Sequence, residues 1–539
     1  MTPDRFVLAH ARIHTVNAAQ PVAEALAVEA GRIVAVGTGL DIAVRFGGWP
    51  RVSAGGRTVV PGFIDAHAHL LGLGQARMQA DLTGTRSVAE VVERLAAFAA
   101  TAGPGRWLTG LGWDQNAWGI GAAGGMAGAF PTRHDLDAAF PDRPVWLTRI
   151  DIHAGWANTA ALRAAGLDPD GPAPPDAPGG YTLRDAAGRP TGVFVDAAMD
   201  LVRRALPPAT DRAEALRRAT AETAAAGLTG VHDAGVPLAT VDFYAAEAEA
   251  GRLPIRVYAM IEPGELDAFC ARGPLVHPSG RLVVRALKLF ADGALGSRGA
   301  ALLADYVDAA GTRGLMQMPP ERLRDLAERA MRGGLQVVTH AIGDAANRAV
   351  LDAYEAAIAA TGGGPGRHRI EHVQVLDAAD VGRFAALGVV ASVQPTHATS
   401  DMGWAETRLG PDRIASAYPM RRLLDAGTRL ALGSDFPIER VPPLLGFHAA
   451  VTRTDAAGNP PGGWHAAEAL TRAEALRGFT RDAAHAAFME DEVGSLETGK
   501  RADFVVLSQD LMAVPDDRIL ATRVLATYLD GEPIYEEAP

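Results

Sequence analysis

The middle of the chain alternates short apolar runs with Ala-rich segments in which polar residues recur at helical spacing. Short apolar runs bounded by glycine or polar residues predict buried strands, and the Ala-rich segments, such as 320–333 and 344–360, predict helices. Strands that alternate with helices are typical of parallel βα units. Eight strands are predicted, with ends near Asp65, His232, Ile261, Phe290, His340, His372, Gln394 and Asp435. We therefore predict an α/β fold with a (β/α)8 barrel over residues 59–489, whose active site lies at the C-terminal ends of the strands.

Both ends of the chain carry short runs of β type. They lie at residues 6–13, 25–28 and 32–36, and again at 503–507 and 523–529. A hairpin turn signal, Asp530-Gly531, follows the last run. Strands this short cannot each bury a face alone. We predict that residues 1–58 and 490–539 pair into one small composite β-sandwich.

The segment 70–218, between the first and second predicted barrel strands, is far longer than a barrel crossover requires. We predict that it is an inserted subdomain over the active site. Five of the eight tryptophans lie in it, among them Trp113, which precedes Asp114. Aromatic side chains beside glycine could line an apolar pocket, and Asp114 could then contact a polar part of the substrate. The alternative is that these residues form the small core of the insertion itself.

Composition excludes several classes of protein. The 539-residue chain is 48% apolar and has a formal net charge of −12, which disfavours nucleic acid and anionic membrane as partners. The single cysteine, Cys270, excludes an intramolecular disulfide and any cysteine-rich metal cluster. The first residues lack the basic and apolar regions of a signal peptide, and no uncharged apolar run is long enough for a membrane span. We expect a cytoplasmic protein that acts on a small molecule.

The run 58–64 predicts the first barrel strand, and candidate chemistry begins where this strand ends, in Asp65-Ala66-His67-Ala68-His69. Alternate residues of a strand share a face, so His67 and His69 point the same way and suit one metal ion. Such a pair is weak evidence alone. It gains weight because four further candidates stand near the ends of other apolar runs: Lys288, His340, His372 and Asp435.

Each of these four residues has two interpretations. Lys288 either forms an ion pair with a carboxylate such as Asp292, or adds CO2 to become a carbamate that bridges two metals. His340 and His372 are either hydrogen-bonded histidines near the core or metal ligands. Asp435 either caps a helix, or binds a metal and accepts the proton of an activated water.

The motifs together resemble the amidohydrolase superfamily, and more closely its amidohydrolase-3 group. The similar segments cover nearly the whole chain and comprise residues 61–70, 288–298, 340–344, 371–374, 394–402, 433–437 and 494–503. One departure is Ile152, which stands where the group usually carries glycine.

The resemblance implies a centre of two divalent metal ions, with zinc as the expected metal and a hydroxide between them. Six side chains are implied as ligands: His67, His69 and Asp435 for the first metal, His340 and His372 for the second, and Lys288, carbamylated by CO2, for both. Asp435 is further implied to take the proton of the hydroxide and pass it to the leaving amine. The predicted substrate contacts are Trp113, Asp114, His153, Asp292 and His397.

The predicted function is hydrolysis of a C–N bond of amide or N-formyl type, other than a peptide bond, in a small molecule with an aromatic or alkyl group. Hydrolysis of an ester, lactone or carbamate remains an alternative, because the same hydroxide would attack any such carbonyl. Deamination is disfavoured, since the single-metal deaminases of the superfamily lack a lysine ligand. A metal-free scaffold is disfavoured because all six ligand positions are filled. The resemblance is also compatible with a homodimer.

Overall fold

The structure is a computed structural model that describes residues 4–101, 107–118, 129–176, 179–207 and 211–538. The chain forms two compact units, one made of Met1–Leu70 with Thr220–Pro539 and the other of Leu71–Ala219. The predicted insertion, 70–218, coincides with the second unit to within one residue, and its position over the active site remains a prediction. No helix in the described ranges has both the length and the apolarity needed to cross a bilayer.

A parallel barrel forms the centre of the first unit, and the predicted barrel is confirmed. In the described residues its strands, in chain order, are Phe63–Ala68, Leu228–Val236, Arg256–Ile261, Leu282–Phe290, Gln336–Ala341, Arg369–His372, Val390–Val393 and Leu430–Leu432. Each strand pairs in parallel with the next one. The backbone N–H of Asp435 donates to the carbonyl of His67 at 2.7 Å, which joins the end of the last strand to the first. The C-terminal ends of all the strands therefore meet at one rim.

Helices follow most of the barrel strands. The helices of this unit are Gly39–Arg45, Leu238–Glu249, Leu266–Arg272, Pro320–Arg332, Asp344–Thr361, Val381–Ala386, Pro395–Asp401, Ala405–Ile414, Met420–Asp425, Pro443–Thr452, Arg472–Gly478 and Arg481–Ala486. The two helices predicted from spacing are present. Pro320 opens the first, where a missing N–H costs nothing, and left-handed Gly362 caps the second.

Gly62 corrects the prediction that residues 58–64 belong to one strand. The run divides there into Thr58–Pro61 and Phe63–Ala68, and only the second strand belongs to the barrel. A Cβ atom at Gly62 would lie 2.2 Å from Thr229 Oγ1, so only glycine allows the chain to pass this close to the neighbouring strand. The strand that carries His67 therefore starts at Phe63.

Strands from both ends of the chain form two further sheets. Among the described residues, one sheet contains, in order, Arg32–Gly37, Ala25–Glu29, Arg5–Ala9 and Arg51–Ser53. The other contains Glu532–Glu536, Val524–Leu529, Phe504–Leu507, Thr58–Pro61, Arg12–His14 and Val22–Ala23. One hydrophobic cluster includes residues of both sheets, such as Phe6 and Leu26 from the first and Val59 and Phe504 from the second.

The second unit has its own mixed sheet, with the order Gly180–Arg184, Pro190–Asp196, Ala154–Ala157, Val145–Arg149, Leu108–Trp113 and Ala80–Asp81. Its helices include Val88–Thr101, Arg133–Asp137, Thr159–Ala164 and Asp200–Arg203. Leu70–Ala76 and Arg212–Ala225 contain the points where the chain passes between the units. Ile152 has a φ of 58°, which is unfavourable for a β-branched residue and explains why glycine suits this position.

Candidate metal centre

The barrel rim brings the predicted ligands into one cluster. The ligand atoms of His67, His372 and Asp435 all lie within 4.8 Å of one another. His69 Nε2 is 3.3 Å from Asp435 Oδ1. Lys288 Nζ is 3.4 Å from His67 Nε2. These five side chains, which are far apart in the sequence, therefore form one continuous set of contacts.

His340, the sixth predicted ligand, borders the same cluster. Its ring centroid is 4.6 Å from that of His372, and its Nε2 atom lies 3.5 Å from Asp292 Oδ1. Five of the six side chains are buried, and His69 is the more exposed one, with 26% of its side chain accessible. The structure thus gathers all six residues, while their roles as ligands remain a prediction.

Hydrogen bonds fix which nitrogen of three of these histidines carries the proton. Each ring uses Nδ1 for an acceptor behind it: His67 contacts the Glu371 carboxylate, His69 the Ala234 carbonyl at 3.0 Å, and His372 the amide oxygen of Gln394 at 2.8 Å. A carbonyl oxygen can only accept, so the ring proton must lie on Nδ1. The Nε2 atom of each neutral ring then keeps its lone pair, which is the arrangement found in metal-binding histidines.

This donor set fits a divalent cation. The lone pairs on Nε2 of His67 and His69 lie 3.6 and 3.3 Å from Asp435 Oδ1, an atom that has no hydrogen-bond partner among the described residues. Two acceptor atoms at these distances repel each other in a buried site unless a cation lies between them. Imidazole nitrogens and a carboxylate are the ligands that zinc and similar ions prefer.

The surroundings of Lys288 decide against one of its two interpretations. No carboxylate oxygen of a described residue lies within 4 Å of its ammonium group, so the ion pair with Asp292 is absent. Instead its Nζ contacts His67 and stands 4.8 Å from the centre of the Phe290 ring. Burial lowers the pKa of Lys288 to about 8. About a tenth of the side chain is therefore a neutral amine near pH 7, far more than for an ordinary lysine, and this is the form that reacts with CO2.

Asp292, a predicted substrate contact, has backbone partners in the structure, and its contact with substrate remains a prediction. Its carboxylate is wholly buried and accepts the backbone N–H groups of Ala301 at 2.8 Å, Ile342 at 3.0 Å and Gly343 at 2.8 Å. The Nε2 atom of His340 also lies 3.5 Å from this carboxylate. Through these hydrogen bonds Asp292 connects the loop after its own strand, at Ala301, to the loop after His340, at Ile342 and Gly343.

Glu371 is a functional candidate that the sequence reasoning missed. This fully buried carboxylate contacts His67 Nδ1 and also accepts from Arg369 Nε at 2.8 Å and Nη2 at 2.9 Å. Burial would raise its pKa, but Arg369 and His67 more than offset this and hold the pKa well below its usual range. The available signal was a charged Glu371 directly before His372 in an apolar strand.

Glu371→Gln is expected to weaken metal binding by about 10- to 100-fold, because an amide orients and polarises the ring of His67 less well than a carboxylate. Competition with a chromophoric chelator measures the change. Glu247→Gln, which alters a buried carboxylate paired with Arg252 on a peripheral helix, is the matched control. Equal metal affinity in Glu371→Gln and in the unmodified protein would contradict this role.

His397 lies beside the cluster on the helix that follows the seventh barrel strand. Its ring stacks on His372 at 5.8 Å, and its Nε2 atom is 3.9 Å from Asp435 Oδ2. Gln374 Nε2 lies 3.2 Å from His397 Nδ1, so the amide donates to Nδ1 and leaves the ring proton on Nε2. Nε2 is buried and has no hydrogen-bond partner in the described part of the chain. His397 can therefore offer a hydrogen bond next to Asp435.

The three predicted substrate contacts of the insertion have partners within their own unit. Trp113 is fully buried in the hydrophobic core of that unit, with its ring 5.8 Å from Trp156, which favours the structural interpretation. Asp114 contacts Arg149 and caps a short helix. His153 Nδ1 lies 2.6 Å from Asp196 Oδ1. Substrate contact by these residues remains a prediction.

Comparison with known proteins places this site in context. A model of the amidohydrolase family matches residues 51–535. N-substituted formamide deformylase of Arthrobacter pascens is 33% identical over 98% of this chain and 98% of its own. The protein LONG AFTER FAR-RED 3 of Arabidopsis thaliana is 35% identical over 97% of this chain and 90% of its own. The crystal structure of a metal-dependent hydrolase from Pyrococcus horikoshii OT3 aligns with a TM-score of 0.76 and 29% identity, covering 95% of this chain and 99% of that one.

Proposed function

This chain belongs to the amidohydrolase family, and on that premise we propose that it is a metal-dependent hydrolase that cleaves a C–N bond of amide or N-formyl type in a small molecule. The observation that carries the proposal is the convergence of three histidine Nε2 lone pairs on the buried carboxylate of Asp435. The choice of bond is supported by the similarity to N-substituted formamide deformylase, whose name states its substrate type.

The six clustered side chains would hold two divalent ions, with zinc as the proposed metal: His67, His69 and Asp435 on one side, His340 and His372 on the other, and Lys288 between them. When bound, such ions lower the pKa of water and polarise the carbonyl that is attacked. Lys288 would join the set after its neutral amine adds CO2, releasing a proton and forming a carbamate with carboxylate-like oxygens. The lowered pKa of Lys288 supports this step, since only the free amine reacts.

Asp435 would move the proton of the reaction. Burial alone would raise its pKa, but the close contact with His69 and the nearby His67 and His397 hold the pKa well below its usual range. The carboxylate is thus ionised and can accept a proton from the attacking water. It then donates that proton to the leaving nitrogen, which departs as a neutral amine.

His397 would stabilise the oxyanion, because its Nε2–H points into the site next to Asp435. Replacing His397 with asparagine is expected to lower kcat by about 100- to 1,000-fold, in line with the loss of one oxyanion donor. Metal content should stay unchanged, which mass spectrometry of the purified variant measures. His448→Asn tests the loss of another buried histidine. A His397→Asn enzyme with full turnover would remove His397 from catalysis, and His153 would be tested next.

The proposal is tested by metal analysis joined to a substrate screen. We expect the purified protein to contain divalent metal, to lose activity on chelation and to regain it when zinc, manganese, iron or cobalt is added. The metal-loaded enzyme is then offered N-formyl amines, N-acyl amino acids, lactones and aryl esters. Turnover confined to the esters and lactones would overturn the C–N assignment. Protein that binds no metal under saturating conditions would instead indicate a scaffold.

A further inference from the structure

Arg453, outside the metal centre, presents a buried guanidinium whose outer nitrogens are unused. Its side chain has no solvent exposure. The Nε–H donates to the carbonyl of Trp464 at 3.0 Å, but neither Nη1 nor Nη2 has a hydrogen-bond partner among the residues that the structure describes. Buried N–H groups are costly when unpaired, and those of a charged group are the most costly. The fork formed by Nη1 and Nη2 therefore calls for an acceptor.

The acidic residues near Arg453 do not supply an acceptor for its Nη1 and Nη2 atoms. Burial lowers the pKa of Arg453 to about 10, so the side chain is still cationic at neutral pH. Glu468, its nearest acidic influence, is already paired with Arg422 at 2.5 Å. Asp401 accepts from the Tyr418 hydroxyl at 2.6 Å. Across the described ranges no carboxylate oxygen comes within 4 Å of Arg453, which leaves one positive charge uncompensated.

Aromatic walls and a constrained backbone surround this guanidinium. Its central carbon lies 5.5 Å from the centre of the Trp464 ring, whose centre is 5.5 Å from that of Tyr418. Such a cation–π contact engages one face of the guanidinium and leaves its in-plane N–H groups available. Tyr418, Arg453 and His465 all have φ between 47° and 56°, in the left-handed region that side chains avoid. Strain of this kind accumulates where a ligand is clamped.

We propose that Nη1 and Nη2 of Arg453 bind a small monoanion of halide size in a buried site beside Trp464. A single negative charge fits because the Arg453 guanidinium lacks a carboxylate partner, whereas the charge of nearby Arg422 is neutralised by Glu468. Small size fits because Arg453 has no exposed surface through which a larger ligand could extend. The planar fork of a guanidinium binds one such acceptor through two parallel N–H bonds. The bound anion would order the segment between Arg453 and Trp464, and the site is independent of the proposed hydrolase activity.

Thermal unfolding of the intact protein in sodium gluconate tests the site, with chloride replacing gluconate at constant ionic strength. We expect a saturable rise in Tm of about 2 to 4 °C for the unmodified protein, because an ion that binds only the folded state stabilises it. Arg453→Gln should show no such rise. Arg440→Gln, which removes an exposed arginine, should keep it. Sodium formate and sodium acetate are tested in the same way. We expect them to raise Tm less than chloride does, with acetate, the larger anion, having the smaller effect.

Crystals soaked in sodium bromide give a second readout that needs no variant. An anomalous peak within hydrogen-bond distance of both Nη atoms of Arg453 would support the site. Water at that place, together with a Tm that does not depend on chloride, would overturn the proposal. A chloride-dependent rise that persists in Arg453→Gln would overturn it as well. If Arg453→Gln does not fold, the bromide map of the unmodified protein decides.

Discussion

Lys288→Ala is expected to lose most of the bound metal and to lower kcat/KM by about 1,000-fold or more. Lys288 is the proposed bridge between two ions, and its nearest described neighbours are His67 and the ring of Phe290 rather than a carboxylate. Removing it leaves two cations with no shared anionic ligand, and several kcal/mol of transition-state stabilisation correspond to about three powers of ten in rate. Inductively coupled plasma mass spectrometry and steady-state kinetics measure the two losses.

Two further measurements separate the carbamate from a merely structural lysine. Lys288→Arg keeps the positive charge but cannot react with CO2, so it should be as inactive as Lys288→Ala. Short carboxylic acids such as formate should partly restore the rate of Lys288→Ala by supplying the missing oxygens, and should do nothing for Lys288→Arg. Unchanged metal content and turnover in Lys288→Ala would take Lys288 out of the centre.

Asp435→Asn is expected to lower kcat by about 100- to 10,000-fold, the usual range for the loss of a general acid–base group. An amide keeps the shape of the side chain but cannot carry the proton from water to the leaving nitrogen. KM should change much less, and metal should be retained better than in Lys288→Ala, because Lys288, the proposed ligand of both ions, is untouched. The loss of kcat in Asp435→Asn should be smaller for substrates with better leaving groups, since their departure requires less proton donation.

The matched control for Asp435→Asn is Asp380→Asn, at a buried aspartate that pairs with Arg348 and Arg383 on two helices and is not among the predicted site residues. It should reduce stability without changing kcat. If Asp435→Asn turns over substrate at the rate of the unmodified enzyme, the proton passes through another group, and the role proposed for Asp435 is wrong.

The barrel could be predicted from the sequence because strand and helix periodicity are local properties. Apolar runs and Ala-rich segments alternate regularly, and this alternation predicts parallel βα units. The division at Gly62 could not be predicted in this way. It depends on how closely Thr229 of the neighbouring strand approaches, and that contact joins residues far apart in the sequence.

The cluster of candidate ligands was predictable for a similar reason, since all of them stand at strand ends and a barrel brings such ends to one rim. The residues that contact these candidate ligands could not be predicted from the sequence. Glu371 directly precedes His372 in the sequence yet contacts His67, which lies 304 residues away on another strand, so no local pattern indicates this contact. The hydrogen bonds from Ile342 and Gly343 to the Asp292 carboxylate join two separate loops, and no local pattern in the sequence indicates them.

The pairing of Thr58–Pro61 with Phe504–Leu507 has a consequence for how the protein is made. The strand that bears His67 begins just past this pairing, so its start is anchored by a segment near the opposite end of the chain. During synthesis that anchor emerges long after the strand that it holds. Because Asp435 also emerges long after His67, the growing chain cannot bring the proposed ligands together early, and binding of the proposed ions would follow assembly of the barrel.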